Sequence, residues 1–197
     1  ARAGVLLAAG AINSPKLLEL SGIGRGELLQ QLGISVVHES RGVGENLQDH
    51  LQIRTVYQVS NAKTLNTVAN SWIGKATMAA EYALLRRGPL SMAPSQFGMF
   101  TKSDPAPAPP DLEYHVQPLS TNRLGEPLHP FPAITVSVCN LRPESRGSCH
   151  IAAPDLDRQP SIRPNYLSTE GDRAVALRAV RQARRIMTAK VLRRYEP

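Results

Sequence analysis

Apolar positions along the chain change period in a way that predicts alternating elements. Val5-Leu6-Leu7-Ala8-Ala9 is a continuous apolar run closed by Gly10, and residues 1–10 read as a buried strand. A helix follows, with Ser14 as its N-cap, Pro15 at the first helical position, and Leu17, Leu18 and Leu20 on its apolar side. Gly22 and Gly24 end it, and a second short helix over 27–32 stops at Gly33. Residues 34–37 read as a strand, and 41–50 as a polar, glycine-bearing loop. Leu51, Ile53, Thr55, Tyr57 and Val59 alternate as one side of a strand. A long helix is expected over 67–87, with Trp72, Ala76, Ala79, Ala80 and Ala83 facing inward and Gly88-Pro89 closing it. Residues 103–111 are a proline-rich loop or stiff spacer. Strands are expected at 112–117, 134–141 and 148–152, the last two joined by a connection of hairpin length at 142–147. A final amphipathic helix begins near residue 170, with Val175, Ala176, Ala179, Val180, Ala183, Ile186 and Met187 at helical spacing. The pattern is α+β: a largely antiparallel sheet with flanking helices, preceded by one strand–turn–helix piece.

Composition narrows the class. The chain has 197 residues, room for one domain or slightly more. Its longest apolar run has eight residues, against about 20 for a membrane-crossing helix. Two cysteines make no disulfide framework; Cys139 and Cys149, on two expected strands, read most simply as free buried thiols. The net charge of +7 is concentrated at one end, since residues 170–197 hold eight basic and three acidic side chains. Those arginines fall mainly opposite the apolar stripe. Only Tyr195 is near them for stacking on bases, so a solvated face fits better than a nucleic-acid surface.

Candidate chemistry is sparse. Two segments, 22–27 and 42–47, begin Gly-x-Gly but lack the third glycine of a dinucleotide fingerprint. At Ala9-Gly10-Ala11 a strand end stripped of side chains turns into a helix, which suits either backbone approach to a ligand or tight packing. No two of the five histidines stand at metal-ligand spacing, and no metal site is expected. His38 reads as an exposed strand end, while His129 and His150 sit beside proline and turn residues with no evident partner. His50 ends the polar loop just before a strand. His115 lies mid-strand, where an inward imidazole must be hydrogen-bonded or face a cavity. The residues by themselves give no reaction.

The stretch Gly10-Ala11-Ile12-Asn13-Ser14-Pro15-Lys16-Leu17-Leu18-Glu19-Leu20-Ser21-Gly22-Ile23-Gly24 resembles the second signature of the glucose–methanol–choline (GMC) flavoprotein oxidoreductases. Gly42-Val43-Gly44-Glu45-Asn46-Leu47-Gln48-Asp49-His50 resembles a second hallmark of that family. Weaker similarities follow in family order at Asp111–His115, Leu141–Gly147 and Pro164–Leu167. The likeness covers essentially the whole chain and is greatest to the choline-dehydrogenase-like branch.

The resemblance implies an internal fragment of an FAD-dependent enzyme that oxidises an alcohol to an aldehyde. Residues 1–50 would be part of the FAD-binding domain and 51–197 most of the substrate-binding domain. Ala9, Gly10 and Ala11 would approach FAD by backbone, and Asn46, Asp49 and His50 would line its side of the active-site entrance. Gln52 and His115 would face the alcohol cavity on neighbouring strands. The catalytic base would lie beyond Pro197, so none is assigned, and the isolated chain is expected to be inactive. Choline-handling relatives carry an acidic residue at the position of Gln52; a neutral amide there suits an uncharged primary alcohol. The expected partners are a small-molecule alcohol and further copies of the chain, with no nucleic acid and no transmembrane segment. The expected compartment is the cytoplasm, with peripheral membrane contact open to the complete protein. The competing readings are a non-catalytic ligand- or partner-binding module derived from the substrate domain, and a nucleic-acid binder using the last helix.

Overall fold

The computed structural model describes residues 4–93, 95–105, 109–123 and 125–197. Two compact units are present, one from 1–49 with 143–173, the other from 50–142 with 174–197. This differs from a single cut after residue 50, because Leu47 and Gly147 exchange both backbone hydrogen bonds at 2.9 Å and Cys149 N donates to Gly44 O at 2.7 Å. Those bonds hold 143–173 to the first unit.

In that unit, α1 (Gly10–Leu20) is followed by β1 (Ile23–Gly24), α2 (Gly26–Gln31) and β2 (His38–Glu39), with β1 and β2 paired in parallel. Several expectations change here. Residues 4–9 form no strand: Val5 and Leu6 are almost fully exposed, and no described strand supplies the partner that their backbone groups would need. The helix starts at Gly10 rather than at Pro15, which lies inside it; Ser14 Oγ instead accepts from Ala9 N at 3.1 Å. The buried residues of α1 are Lys16 and Glu19, not the leucines, which are half-buried. Pairing falls on His38–Glu39 instead of 34–37, because Gly22 O takes the N–H groups of Val37 and His38.

The second unit is a four-stranded antiparallel sheet in the order β3 (Ile53–Gln58), β6 (Ala133–Asn140), β5 (Leu112–Gln117), β4 (Phe97–Thr101). Between β3 and β4 lie α3 (Leu65–Ala69), α4 (Trp72–Leu85) and a short 3₁₀ turn at Pro89–Ser91. The expected single helix over 67–87 is therefore two. Ser71 caps α4 by accepting from Gly74 N, and a side chain at Gly74 would run into Val68 O at the corner. Trp72 is 88% exposed, and of α4 only Met78 is buried, so the expected inner face is wrong. A left-handed Arg86 caps α4 before Gly88 is reached. The unit also anchors α3 through Asn66, fully buried, which donates to Ser120 O and His129 O and accepts from Ser120 N.

The 142–147 segment is no hairpin. Strand β6 pairs with β3 and β5, whereas β7 (Ser148–His150) pairs with β8 (Ser161–Arg163) in the first unit. Neither β4 nor β8 was expected. The proline-rich stretch 103–111 falls partly outside the described residues. The last helix, α5 (Glu170–Met187), is followed by a 3₁₀ turn at Lys190–Tyr195. Among the described residues no helix is long and apolar enough to cross a membrane.

One face of the sheet supplies the core. Leu112, Tyr114, Val136 and Val138 pack against Ala179, Ala183 and Met187 of α5. Tyr114 OH donates to Ala179 O at 2.8 Å, and burial pushes its phenol up to about 12. In the first unit, Asp172 at the start of α5 accepts from Glu144 N, Ser145 N and Ser145 Oγ. Burial alone would raise its carboxyl, but these hydrogen bonds outweigh it and hold it below the ordinary value.

Two predictions follow from these contacts. Replacing Tyr114 by Phe should cost about 1 kcal/mol in denaturant unfolding, the typical value of one buried hydrogen bond. Because the folded phenol titrates near 12 and the unfolded one near 10, stability should fall as pH rises across that window. Asp172→Asn should cost about 1–3 kcal/mol, since an amide cannot accept at both oxygens. The wild-type protein, whose Asp172 carboxyl is depressed in the fold, should lose stability as pH falls below the ordinary carboxylate range, and the variant should lose less.

Candidate functional site

In the first unit a concavity of about 450 Å³ is lined by Ala11, Ser14 and Leu18 of α1, by Gly44 and Asn46 of the 41–50 loop, and by Cys149. Gly44 has φ +78°, and a Cβ there would lie 2.5 Å from Cys149 O and 2.6 Å from His150 Nδ1. Asn46 is also left-handed, at φ 59°. Gly10 opens α1 at φ +83° with open space where a side chain would stand. Ala9, Gly10 and Ala11 are exposed. An eleven-residue helix thus presents bare backbone at its N-terminus, beside small side chains.

A buried charge network, not foreseen from sequence, braces this loop. Glu19 is fully buried; its Oε1 lies 2.7 Å from His150 Nδ1, and its Oε2 accepts from Ile151 N at 2.8 Å. His150 Nε2 lies 3.1 Å from Glu45 Oε1, and Glu45 also pairs with Arg25. His150 therefore has two partners where none was evident, because β7 carries it against α1, more than 100 residues away in sequence. Asp49 accepts a hydrogen bond from Tyr166 OH, which pushes the Tyr166 phenol up to about 12.

In the second unit the polar side chains of the sheet lie on the face opposite the core. The register places Arg54, Ser137 and His115 in one row, and Cys139 opposite Glu113 in the next. Continued by one residue, it sets Gln52 beside Cys139. His115 Nε2 lies 3.3 Å from Glu113 Oε1, both side chains being mostly buried. Burial, then the charge of Glu113, pushes the Cys139 thiol up. Cys139 and Cys149 are both free. Strand β6 separates Gln52 from His115, so the two do not lie on neighbouring strands as expected. His50 is exposed, with Nε2 3.3 Å from Leu141 O. Glu113 and Arg54 were missed, although the period of two that places His115 also places Glu113 on its face. His129 bonds Ser120 Oγ and Asn122 Oδ1 and stacks on Phe131, which corrects the expectation that it lacks a partner. Among the described residues no group of three His, Cys, Asp or Glu side chains could hold a metal ion.

Comparison with known proteins matches residues 1–52 and 143–197 to the two parts of one family, described as GMC oxidoreductase. The "Oxygen-dependent choline dehydrogenase" of Pectobacterium atrosepticum is 37% identical over 99% of this chain and 35% of its own length. The "Alcohol dehydrogenase [acceptor]" of Pseudomonas putida is 35% identical over 94% of the chain and 34% of its own length. Among solved structures, pyridoxine 4-oxidase from Mesorbium loti aligns at TM-score 0.75 with 26% identity, over 95% of this chain and 33% of that one. A formate oxidase aligns at TM-score 0.82 over 94% and 37%, with 20% identity, and so shares the fold. The chain spans about a third of the length of the curated relatives it matches. With both terminal stretches matched to one family and relatives 35–37% identical over 94–99% of the chain, this protein belongs to the GMC oxidoreductases.

Proposed function

We propose that the chain is part of an FAD-dependent oxidoreductase that oxidises a primary alcohol to an aldehyde. The observation that carries this reading is the family match at residues 1–52 and 143–197, the stretches that build the 450 Å³ concavity. The residues there fit a dinucleotide: bare backbone at Ala9, Gly10 and Ala11 permits close approach at the N-terminus of α1, and Asn46 and Asp49 lie on or beside the strained loop. Those residues would hold FAD, which supplies the hydride acceptor when bound. Residues 1–49 with 143–173 would then serve the cofactor, and 50–142 with 174–197 the substrate.

On the substrate side, Glu113 fixes the His115 ring through Nε2 and leaves Nδ1 for a hydroxyl. Gln52 offers a neutral amide, which supports an uncharged alcohol over choline. No described residue is assigned as the base that takes the hydroxyl proton. The free, buried thiols of Cys139 and Cys149 support a reducing compartment such as the cytoplasm.

Anaerobic addition of a primary alcohol to the complete protein should bleach its flavin absorbance, whereas the 197-residue chain alone should show no alcohol oxidation. A complete protein that binds no FAD overturns the reading. His115→Gln in the complete protein should raise KM for the alcohol about tenfold, the value of a lost hydrogen bond to a partner in a low-dielectric cavity. Flavin content should stay unchanged. Glu113→Gln should act in the same direction and less strongly.

A further inference from the structure

A second concavity, also about 450 Å³, lies in the sheet-bearing unit and takes no part in the alcohol chemistry. It is lined by Ser103, just past β4, and by Arg178, Arg181, Arg184 and Arg185 of α5. We propose that this arginine-lined concavity binds a ligand with adjacent phosphate groups, of the pyrophosphate class.

Helical spacing creates the site. Positions 178, 181 and 185 stand at i, i+3 and i+7, so their side chains rise from one stripe, and 184 flanks it. Like charges at such spacing repel one another. Asp104 Oδ2 lies 3.6 Å from Arg178 Nη1. Asp111 accepts at its two oxygens from Ser103 N and Oγ. Among the described residues Arg181, Arg184 and Arg185 make no ion pair.

Three guanidinium groups that make no ion pair among the described residues surround one concavity and match a pyrophosphate in charge, and their planar forks suit phosphate oxygens in bidentate pairs. The volume lies in the range of small-molecule sites. Among the described residues no aromatic side chain lines it to stack on a base, so recognition rests on the phosphates. The same chemistry is offered by free phosphorylated metabolites and by phosphorylated lipid headgroups.

Isothermal titration of the complete protein with inorganic pyrophosphate, at ionic strength held constant with KCl, tests the site. Saturable binding is expected. It should weaken by about tenfold for each of Arg181→Ala and Arg185→Ala, as loss of one charge-assisted hydrogen bond implies. The corresponding Lys variants, which keep the charge and lose the fork, should weaken it less, and Arg158→Ala should not change it. Circular dichroism should show α5 intact in every variant, because these side chains are exposed. Sedimentation with phosphoinositide-containing vesicles separates the sources. Binding to vesicles and pyrophosphate with shared loss in the variants assigns a headgroup, and binding to pyrophosphate alone assigns a free phosphate. The absence of saturable pyrophosphate binding, or equal binding by the Arg181→Ala/Arg185→Ala double variant, overturns the proposal.

Discussion

The unit of residues 50–142 and 174–197 rests on one constraint: its sheet must keep its apolar side chains on the face that packs against α5 and its polar ones on the other. Strand β6 is central, flanked by β3 and β5, and its Val136 and Val138 turn toward α5 while Ser137 and Cys139 turn the other way. Pairing carries the division across the sheet. Tyr114 and Leu112 join the valines, and Glu113 and His115 join Ser137 and Cys139. A single residue of slip would bring the polar set into the core, so the hydrophobic packing under α5 is what fixes the register of the polar row. The apolar face thereby positions chemistry that it never touches.

The other unit relies on buried charge to hold its loops. Glu19 has no exposure to solvent and takes an imidazole and a backbone N–H, and Asp172 gathers backbone and side-chain donors from the 144–145 corner. A carboxylate in either place is tolerated only because its hydrogen bonds are supplied in full. In return, each organises a family hallmark. Glu19, through His150 and Glu45, braces the glycine-bearing loop, and Asp172 holds the Arg-Pro-Glu-Ser-Arg-Gly corner.

Much of the second unit was legible because its sheet follows local rules. Residues 53–58, 112–117 and 133–140 alternate with period two, and the apolar stripe of α5 recurs with helical period, so each betrays its buried side without help from the rest of the chain. Where the reading failed, a distant partner had decided the outcome. Trp72 and its alanines have helical spacing, but the α3–α4 corner is set by Ser71, Gly74 and the anchoring of Asn66 by Ser120 and His129. Likewise, the apolar run at 5–9 has the composition of a strand without a described neighbour to pair with. Segment 142–147 has hairpin length, yet the strands on either side pair with other partners.

Motif resemblance named the family and made Gln52 a candidate, and the sequence by itself determined the α+β class, the glycine-bearing loop and the mid-strand place of His115. Each is encoded within a few consecutive residues, where backbone preference and side-chain period act locally. Tertiary structure alone decided that His150 sits between Glu19 and Glu45, and that Ser103 and the arginines of α5 line one concavity. Those outcomes depend on side chains from segments far apart in the chain meeting at hydrogen-bond distance. No local pattern records such a meeting, because burial and partner choice are settled only when the whole unit packs.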